Sequence, residues 1–163
     1  MSKRVKNSAC KHGVRLVCIS DLHNIDQFYE VPDGDILIAA GDICGVGNRT
    51  ELKAFDDFLG NQSHSAKIVV AGNHDWPFAF CTPAEAKELL KNAIYLEDNG
   101  IELFGLKFWG SPWQPWFFNW AFNLPRGPKL AEVWAKIPSD IDVLITHSPP
   151  FGILDKVDGV NVG

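Results

Sequence analysis

Histidine, aspartate and asparagine side chains follow the ends of four apolar runs in this sequence. Imidazole nitrogens and carboxylate or amide oxygens are ligands that divalent cations accept. Such groups are costly inside an apolar core. Their repeated placement just after apolar runs therefore predicts a metal site. The groups are Asp21-Leu22-His23, Gly41-Asp42, Gly72-Asn73-His74-Asp75 and Thr146-His147.

Short apolar runs that are typical of buried strands position these groups. Open α/β folds bind their ligands at the carboxyl edge of the sheet, so side chains that follow parallel strands would meet there. Strand, loop, strand, helix and strand alternate along the first half of the chain, which favours an α/β fold. The predicted strands cover residues 14–20, 36–40, 67–71 and 141–146.

Local signals predict further elements between the strands. Thr50 is expected to cap a helix whose apolar face contains Leu52 and Phe55. Thr82-Pro83-Ala84-Glu85 has the pattern of a capping box with proline at the first helical position. Asp98-Asn99-Gly100 predicts a hairpin turn. The later half is therefore expected to add antiparallel strands in a second sheet.

Length and composition are those of one globular domain. The chain has 163 residues, of which 46% are hydrophobic, and a formal net charge of −5. This charge gives no electrostatic footprint for a nucleic-acid polymer, and no apolar stretch approaches the ~20 residues that span a membrane. We expect a flexible basic arm at residues 1–13, followed by the domain at residues 14–163.

The four cysteines are scattered and form no Cys-x-x-Cys pair. This distribution favours reduced thiols and a cytoplasmic location. Cys44 follows one of the polar groups. The sequence leaves open whether Cys44 is a structural thiol or a soft metal ligand.

The segment from Gly110 to Phe122 is rich in proline and aromatic rings. It is predicted to be neither a regular strand nor a regular helix. One interpretation is a long loop that its rings hold over the core. The other is a wall of a substrate pocket, in which one ring is free to stack on a nucleobase. A patch that touches a membrane is a remoter alternative.

Taken together, the polar groups are similar in order and spacing to those of the calcineurin-like metallophosphoesterases. Three other segments resemble more closely the metallophosphoesterase-domain-containing (MPPED, 239AB-like) branch of that superfamily. These segments are Gly110-Ser111-Pro112-Trp113-Gln114-Pro115-Trp116-Phe117, Asn123-Leu124-Pro125-Arg126-Gly127 and His147-Ser148-Pro149-Pro150.

This resemblance implies a four-layer α/β sandwich, in which two mixed β-sheets are flanked by helices. It also implies a dinuclear centre of two divalent ions, such as Mn²⁺, Fe²⁺/³⁺, Zn²⁺ or Mg²⁺. One ion would be held by Asp21, His23 and Asp42, and the other by Asp42, Asn73 and His147.

The implied activity is hydrolysis of phosphoesters by a hydroxide that the two metals activate. The substrates implied are cyclic nucleotides or small phosphodiesters. His74 matches the superfamily's catalytic histidine, and Asp75 matches the partner that orients it. A general acid near the leaving group is the chemical reason to expect such a histidine.

The sequence departs from the superfamily pattern after His147, which is its last histidine. The Gly-His-x-His motif that would complete both metal shells is absent, as are the last strands of the fold. We therefore expect weaker metal binding, a truncated chain and possible self-association through an exposed sheet edge. His12 and His64 are candidate substitute ligands, although a surface position is expected for both.

Two other functions stay open at this point. One is a catalytically impaired relative that acts as a metal-binding scaffold or binds a protein partner. The other is a structural α/β domain in which the polar residues are incidental, although that leaves their repetition at strand ends unexplained.

Overall fold

The computed structural model describes residues 13–24 and 30–163. The predicted basic arm lies outside the described residues, apart from Gly13. The strands are β1 (Leu16–Ile19), β2 (Ile36–Ala40), β3 (Ala66–Val70), β4 (Ile94–Tyr95), β5 (Asn99–Leu103), β6 (Leu106–Ser111), β7 (Gln114–Pro115), β8 (Asn123–Leu124), β9 (Val143–Thr146), β10 (Lys156–Val157) and β11 (Val160–Asn161). The helices are α1 (Arg49–Gly60), α2 (Trp76–Ala79), α3 (Pro83–Leu89) and α4 (Pro128–Trp134).

Two principal sheets form the fold. The first has the strand order β1-β2-β3-β4, and all its strands are parallel. The second has the order β5-β6-β9, in which β5 is antiparallel to β6 and β9 is parallel to β6. Short ladders join β7 to β8 and β10 to β11. The predicted α/β architecture with two sheets is confirmed.

Alternation along β2 and β3 divides the core into two layers, because successive side chains of a strand point to opposite faces. Leu37 and Val69 pack on one face, together with side chains of α1 and α3. Ile38 and Val70 pack on the other face, against the second sheet at Phe108. Both faces of the first sheet are therefore covered, which explains why its strands read as continuous apolar runs.

Helix α1 begins two residues earlier than a cap at Thr50 would place it. Asn48 is the N-cap, and its side-chain oxygen accepts the backbone N–H groups of Thr50 and Glu51 at 2.9 and 3.0 Å. The predicted cap at Thr50 is thus wrong, because Asn48 and Glu51 form the reciprocal capping box. The capping box of Thr82 and Glu85 at the start of α3 is confirmed.

The hairpin predicted at Asp98-Asn99-Gly100 is also wrong. Strand β4 pairs with β3 in the first sheet, whereas β5 pairs with β6 in the second, so the chain changes sheets at Asp98. The Asp98 carboxylate accepts hydrogen bonds from Ser111 and Trp113 across this crossing. The chain reverses instead between β5 and β6, where Gly105 has a φ of 80°.

In the described part of the chain, the second sheet ends at β9. Helix α4 lies beside this strand, where Trp134 shares a cavity of about 260 Å³ with Leu144. None of the helices within the described residues is both long and apolar enough to cross a membrane.

Candidate metal centre

Asp42 occupies the centre of the polar cluster, just beyond the carboxyl end of β2. Its Oδ1 lies 3.3 Å from Nε2 of His147, and its Oδ2 lies 3.5 Å from Nε2 of His23. The residue is only 4% exposed. Each carboxylate oxygen therefore faces a different histidine, as a residue shared between two cations would.

Two groups of potential metal ligands share Asp42. One contains His23, Asp42 and His74, and the other contains Asp21, Asp42 and His147; in each group the ligand atoms lie within 4.8 Å of one another. Asn73 Oδ1 lies 3.2 Å from His147 Nε2, which adds an amide oxygen beside the second group. Carboxylate, imidazole and amide donors at these separations suit divalent cations.

The resemblance implied a slightly different division of these side chains. It assigned Asp21 to the same ion as His23, whereas the structure groups Asp21 with His147. The resemblance assigned His74 a catalytic role and no metal contact. In the structure, His74 lies close enough to Asp42 and His23 to be a potential ligand. All five predicted ligands meet at one edge of the sheet, and their division between ions stays a prediction.

Backbone conformations at the site depart from those of a regular strand. Asp21, His23 and Asp42 have φ angles of 55°, 42° and 51°. Asp21 and His23 therefore do not lie in an extended continuation of β1. Their loop is held instead by hydrogen bonds to the loop after β2, from Asp21 N to Gly41 O and from His23 N to Asp42 O. Left-handed non-glycine residues cost roughly 1 kcal/mol each and cluster at functional sites.

Glycines at positions 41 and 72 permit the close approach of the two loops. A Cβ on Gly72 would lie 2.3 Å from the backbone nitrogen of Asp42 and 2.4 Å from its Oδ1. A Cβ on Gly41, whose φ is 93°, would lie 2.4 Å from Nδ1 of His147. Larger residues at either position would displace a candidate ligand.

Asp42 and His147 form a mutually stabilised pair. Burial alone raises the pKa of Asp42, but the hydrogen bond and charge of His147 and the backbone hydrogen bond from His74 together outweigh burial, so the pKa is lowered. Burial alone lowers the pKa of His147, but Asp42 and the Ala40 carbonyl raise it overall. The pair therefore favours an ionised carboxylate at the centre of the cluster.

Asp75 lies behind the cluster and is fully buried. Its carboxylate accepts backbone N–H groups from Gly72 at 2.7 Å, Cys44 at 2.8 Å and Ile43 at 3.3 Å. Burial raises its pKa despite these hydrogen bonds. Asp75 therefore ties the loop after β3 to the loop after β2. This anchoring was not anticipated from the sequence, and orientation of His74 by Asp75 stays a prediction.

His74 has its own set of partners. Its Nδ1 lies 2.7 Å from the carbonyl oxygen of Gly45. The ring of Trp120 stacks on the imidazole with a centroid distance of 4.0 Å and an interplanar angle of 24°. His23 meets it edge-on at 4.5 Å. The sequence suggested that a ring of the aromatic segment could border the site, but it did not indicate which ring contacts His74.

The aromatic segment packs partly on the core and partly along a cleft, and its role in a substrate pocket stays a prediction. Its inner part is held in the core, where Phe122 is 5% exposed and meets Trp113 edge-on. Its outer part lines a cleft of about 550 Å³ beside Asn73 and His74. Phe117 and Phe118 in this wall are 56% and 71% exposed.

The remaining candidate ligands lie elsewhere. Cys44 is fully buried, and its backbone N–H binds Asp75. His64 is buried rather than at the surface, because its Nε2 bonds the Pro32 carbonyl and its ring packs beside Gly34. The surface position predicted for His64 is therefore wrong. His12 lies outside the described residues.

The fold and the site define an α/β domain with a candidate metal centre at the carboxyl edge of its first sheet. The family model for calcineurin-like phosphoesterases matches residues 14–162. The chain belongs to this metallophosphoesterase family.

Several relatives support the resemblance to the MPPED branch. Metallophosphoesterase domain-containing protein 1 of Homo sapiens is 42% identical over 165 residues, which cover 88% of this chain and 51% of that protein. UPF0046 protein T07D4.2 of Caenorhabditis elegans is 42% identical over 175 residues, which cover 89% of this chain and 44% of that protein. The chain thus spans about half the length of these relatives.

Proposed function

We propose that this domain is a metal-dependent phosphoester hydrolase that acts on cyclic nucleotides or small phosphodiesters. The observation that carries the proposal is the position of Asp42, which belongs to both groups of potential ligands and turns one oxygen toward each of two histidines. The family match and the name of the human relative support the same class of reaction.

In this proposal Asp21, His23, Asp42, Asn73 and His147 hold two divalent cations. When bound, such cations polarise the phosphoryl group and lower the pKa of water enough to supply a nucleophile near neutral pH. Asn73 contributes an oxygen without adding negative charge, so the site stays attractive to an anionic phosphoester. Gly41 and Gly72 keep the carboxylate of Asp42 close to both histidines.

His74 stabilises the developing charge or protonates the leaving oxygen. Its Nδ1 is engaged by the Gly45 carbonyl, which leaves Nε2 as the nitrogen available to a substrate. The ring borders the aromatic cleft, where a bound phosphoester would place its leaving group. A general acid in such a position contributes roughly 100-fold or more to the rate.

The cleft supports a substrate that carries a base. Phe117 and Phe118 are exposed and meet each other edge-on at 4.6 Å. Stacking of a base on an aromatic ring contributes about 1–3 kcal/mol. Phe118→Ala should therefore raise the KM for a cyclic nucleotide by about tenfold, and it should leave unchanged the KM for a cyclic ribose phosphate without a base. Equal changes for both compounds would contradict base stacking.

Hydrolysis itself is tested with the Mn²⁺-loaded protein and bis-p-nitrophenyl phosphate. Asp42→Asn should lower the turnover number by about 100-fold or more, because an amide has one oxygen donor and no charge and cannot serve two cations as the carboxylate does. Asp57→Asn is the matched control, since Asp57 is exposed and pairs with Lys53 on α1. Equal rates for the wild-type protein and Asp42→Asn, purified in parallel, would overturn the enzymatic proposal.

A second candidate is a metal-binding scaffold with impaired catalysis. It is favoured by the small number of donors, because each group offers only three histidine or aspartate side chains within the described residues. Elemental analysis after dialysis separates the two candidates. Nearly two Mn²⁺ per chain together with turnover supports the hydrolase, whereas substoichiometric metal without turnover supports the scaffold.

A further inference from the structure

The His74 ring is held by contacts from separate parts of the chain. The Gly45 carbonyl fixes Nδ1 at 2.7 Å, but one hydrogen bond leaves a planar ring free to pivot about that bond. The Trp120 indole lies nearly parallel to the imidazole at 4.0 Å and covers its face. Together, one bond in the ring plane and one contact on its face determine its orientation.

The backbone beside Trp120 is anchored, in contrast with the exposed part of the same segment at Phe118. The next residue, Ala121, is 2% exposed and donates its N–H to the carbonyl oxygen of Asn73 at 3.0 Å. The carbonyl of Phe122 accepts the N–H of Gln114 at 3.0 Å. The backbone that carries the indole is therefore fixed to the loop that carries His74, whereas Phe118 two residues earlier is largely exposed.

The oxygens of the Asp75 carboxylate accept the backbone N–H groups of Ile43, Cys44 and Gly72, whereas Nδ1 of His74 is bonded to the Gly45 carbonyl. The position beside His74 is instead occupied by the aromatic face of Trp120. Stacking on an aromatic face favours one ring orientation and also attracts a protonated imidazole.

We propose that Trp120 is a positioning residue that holds the His74 imidazole in its working orientation through ring stacking. Trp120 acts through His74 and makes no contribution as a base-stacking platform, because the face turned toward the site is occupied by the histidine. The kinetic part of this inference rests on the proposed hydrolase function.

The first test is spectroscopic and needs no activity. A stacked indole shifts the ring-proton resonances of His74 by its ring current. Trp120→Leu should move these resonances toward ordinary histidine values, and Trp120→Phe should keep part of the shift. Trp116→Leu is the control, because Trp116 is exposed and belongs to the same segment. Unchanged His74 resonances in Trp120→Leu would overturn the inference, even if the protein hydrolyses nothing.

The second test compares leaving groups. Trp120→Leu should lower kcat by about 10- to 100-fold for a phosphodiester with an alkyl leaving group, because this group needs a well-placed proton donor. The rate for a p-nitrophenyl leaving group should fall less than about threefold, since that group departs without protonation. KM should stay constant in both cases, and Trp120→Phe should restore most of the rate.

Other outcomes separate positioning from alternative roles. A rise in KM with unchanged kcat would show that Trp120 binds substrate and would overturn the positioning role. Equal losses for both leaving groups that Trp120→Phe does not restore would show a general structural defect and would also overturn it. If the wild-type protein is inactive on every phosphoester, the proposed function fails while the His74 resonances still decide the stacking role.

Discussion

Two regions of the molecule are each organised around a buried aspartate, but their surroundings differ. The first region comprises the loops that follow β2 and β3, and the second region is the segment that follows β9. Asp75 accepts backbone N–H groups from Ile43, Cys44 and Gly72 beneath an apolar cover. Asp155 accepts the N–H groups of Gly152 and Gly163, both at 2.9 Å. The same device thus holds the candidate site in one region and a surface turn in the other.

The pKa values of the two aspartates are shifted in opposite directions. Burial dominates at Asp75 and raises its pKa. At Asp155, burial also acts to raise the pKa, but the hydrogen bonds from Gly152 and Gly163 and the nearby Arg126 lower it overall. Apolar side chains around the second anchor stay exposed, including Ile153 at 61% and Leu154 at 99%. A carboxylate anchor alone can fix a turn, whereas the first region adds close packing.

The largest effect is expected from filling the contact between the two loops of the first region. Gly72→Ala would place a methyl group 2.3 Å from the Asp42 nitrogen, so the loops must separate. We expect a loss of about 3 kcal/mol in the free energy of unfolding, together with loss of metal binding. Urea denaturation measures the first quantity and calorimetric titration with Mn²⁺ the second.

Gly13→Ala is the matched control, because a Cβ at Gly13 meets no atom within 4 Å. A similar stability for Gly72→Ala and Gly13→Ala would show that the loops adapt readily, contrary to the close packing described above.

The second largest effect is expected at the buried anchor. Asp75→Asn keeps the shape of the side chain but turns an amide NH₂ toward backbone N–H donors, which leaves at least one of them unsatisfied. The free energy of unfolding should fall by about 2 kcal/mol. Asp57→Asn, at an exposed position of α1, should change the free energy of unfolding by less than about 0.5 kcal/mol. Equal unfolding midpoints for the two variants would refute the anchoring role.

The second region should respond to acid. Because the pKa of Asp155 is lowered in the folded state, its stabilising contribution is complete above the unfolded value of about 3.9 and is lost as the pH falls through the folded value. The amide resonances of Gly152 and Gly163 should titrate together in this range. They should not titrate in Asp155→Asn, and titration that persists in this variant would assign the effect to another group.

The smallest effect on stability is expected at β9, where the second sheet ends within the described residues. Leu144 on this strand is 47% exposed. If the predicted self-association uses this edge, Leu144→Lys should weaken it while changing the free energy of unfolding by less than about 0.5 kcal/mol. Sedimentation at several concentrations measures the association. Val46→Lys, at another exposed aliphatic position, is the control. A wild-type protein that stays monomeric would show the prediction to be wrong.

Three strands of the first sheet, β1, β2 and β3, and the polar residues after them could be predicted from the amino-acid sequence. Apolar runs such as residues 36–40 are local signals, and in parallel strands their carboxyl ends must meet at one edge. The capping box at Thr82 is equally local, since its two partners lie three residues apart. The hairpin predicted at Asp98 was wrong because the flanking strands pair with two different sheets, and this long-range pairing overrode the local turn preference.

The assembly of the site depends on long-range contacts that no local pattern predicts. His147 meets the Ala40 carbonyl across 107 positions of the chain, and that contact depends on the packing of one sheet against the other. The left-handed backbone at Asp42, the engagement of Asp75 by neighbouring loops and the stacking of Trp120 on His74 likewise depend on residues distant in sequence. Local patterns name the side chains that follow each strand, but long-range packing sets the distances between them.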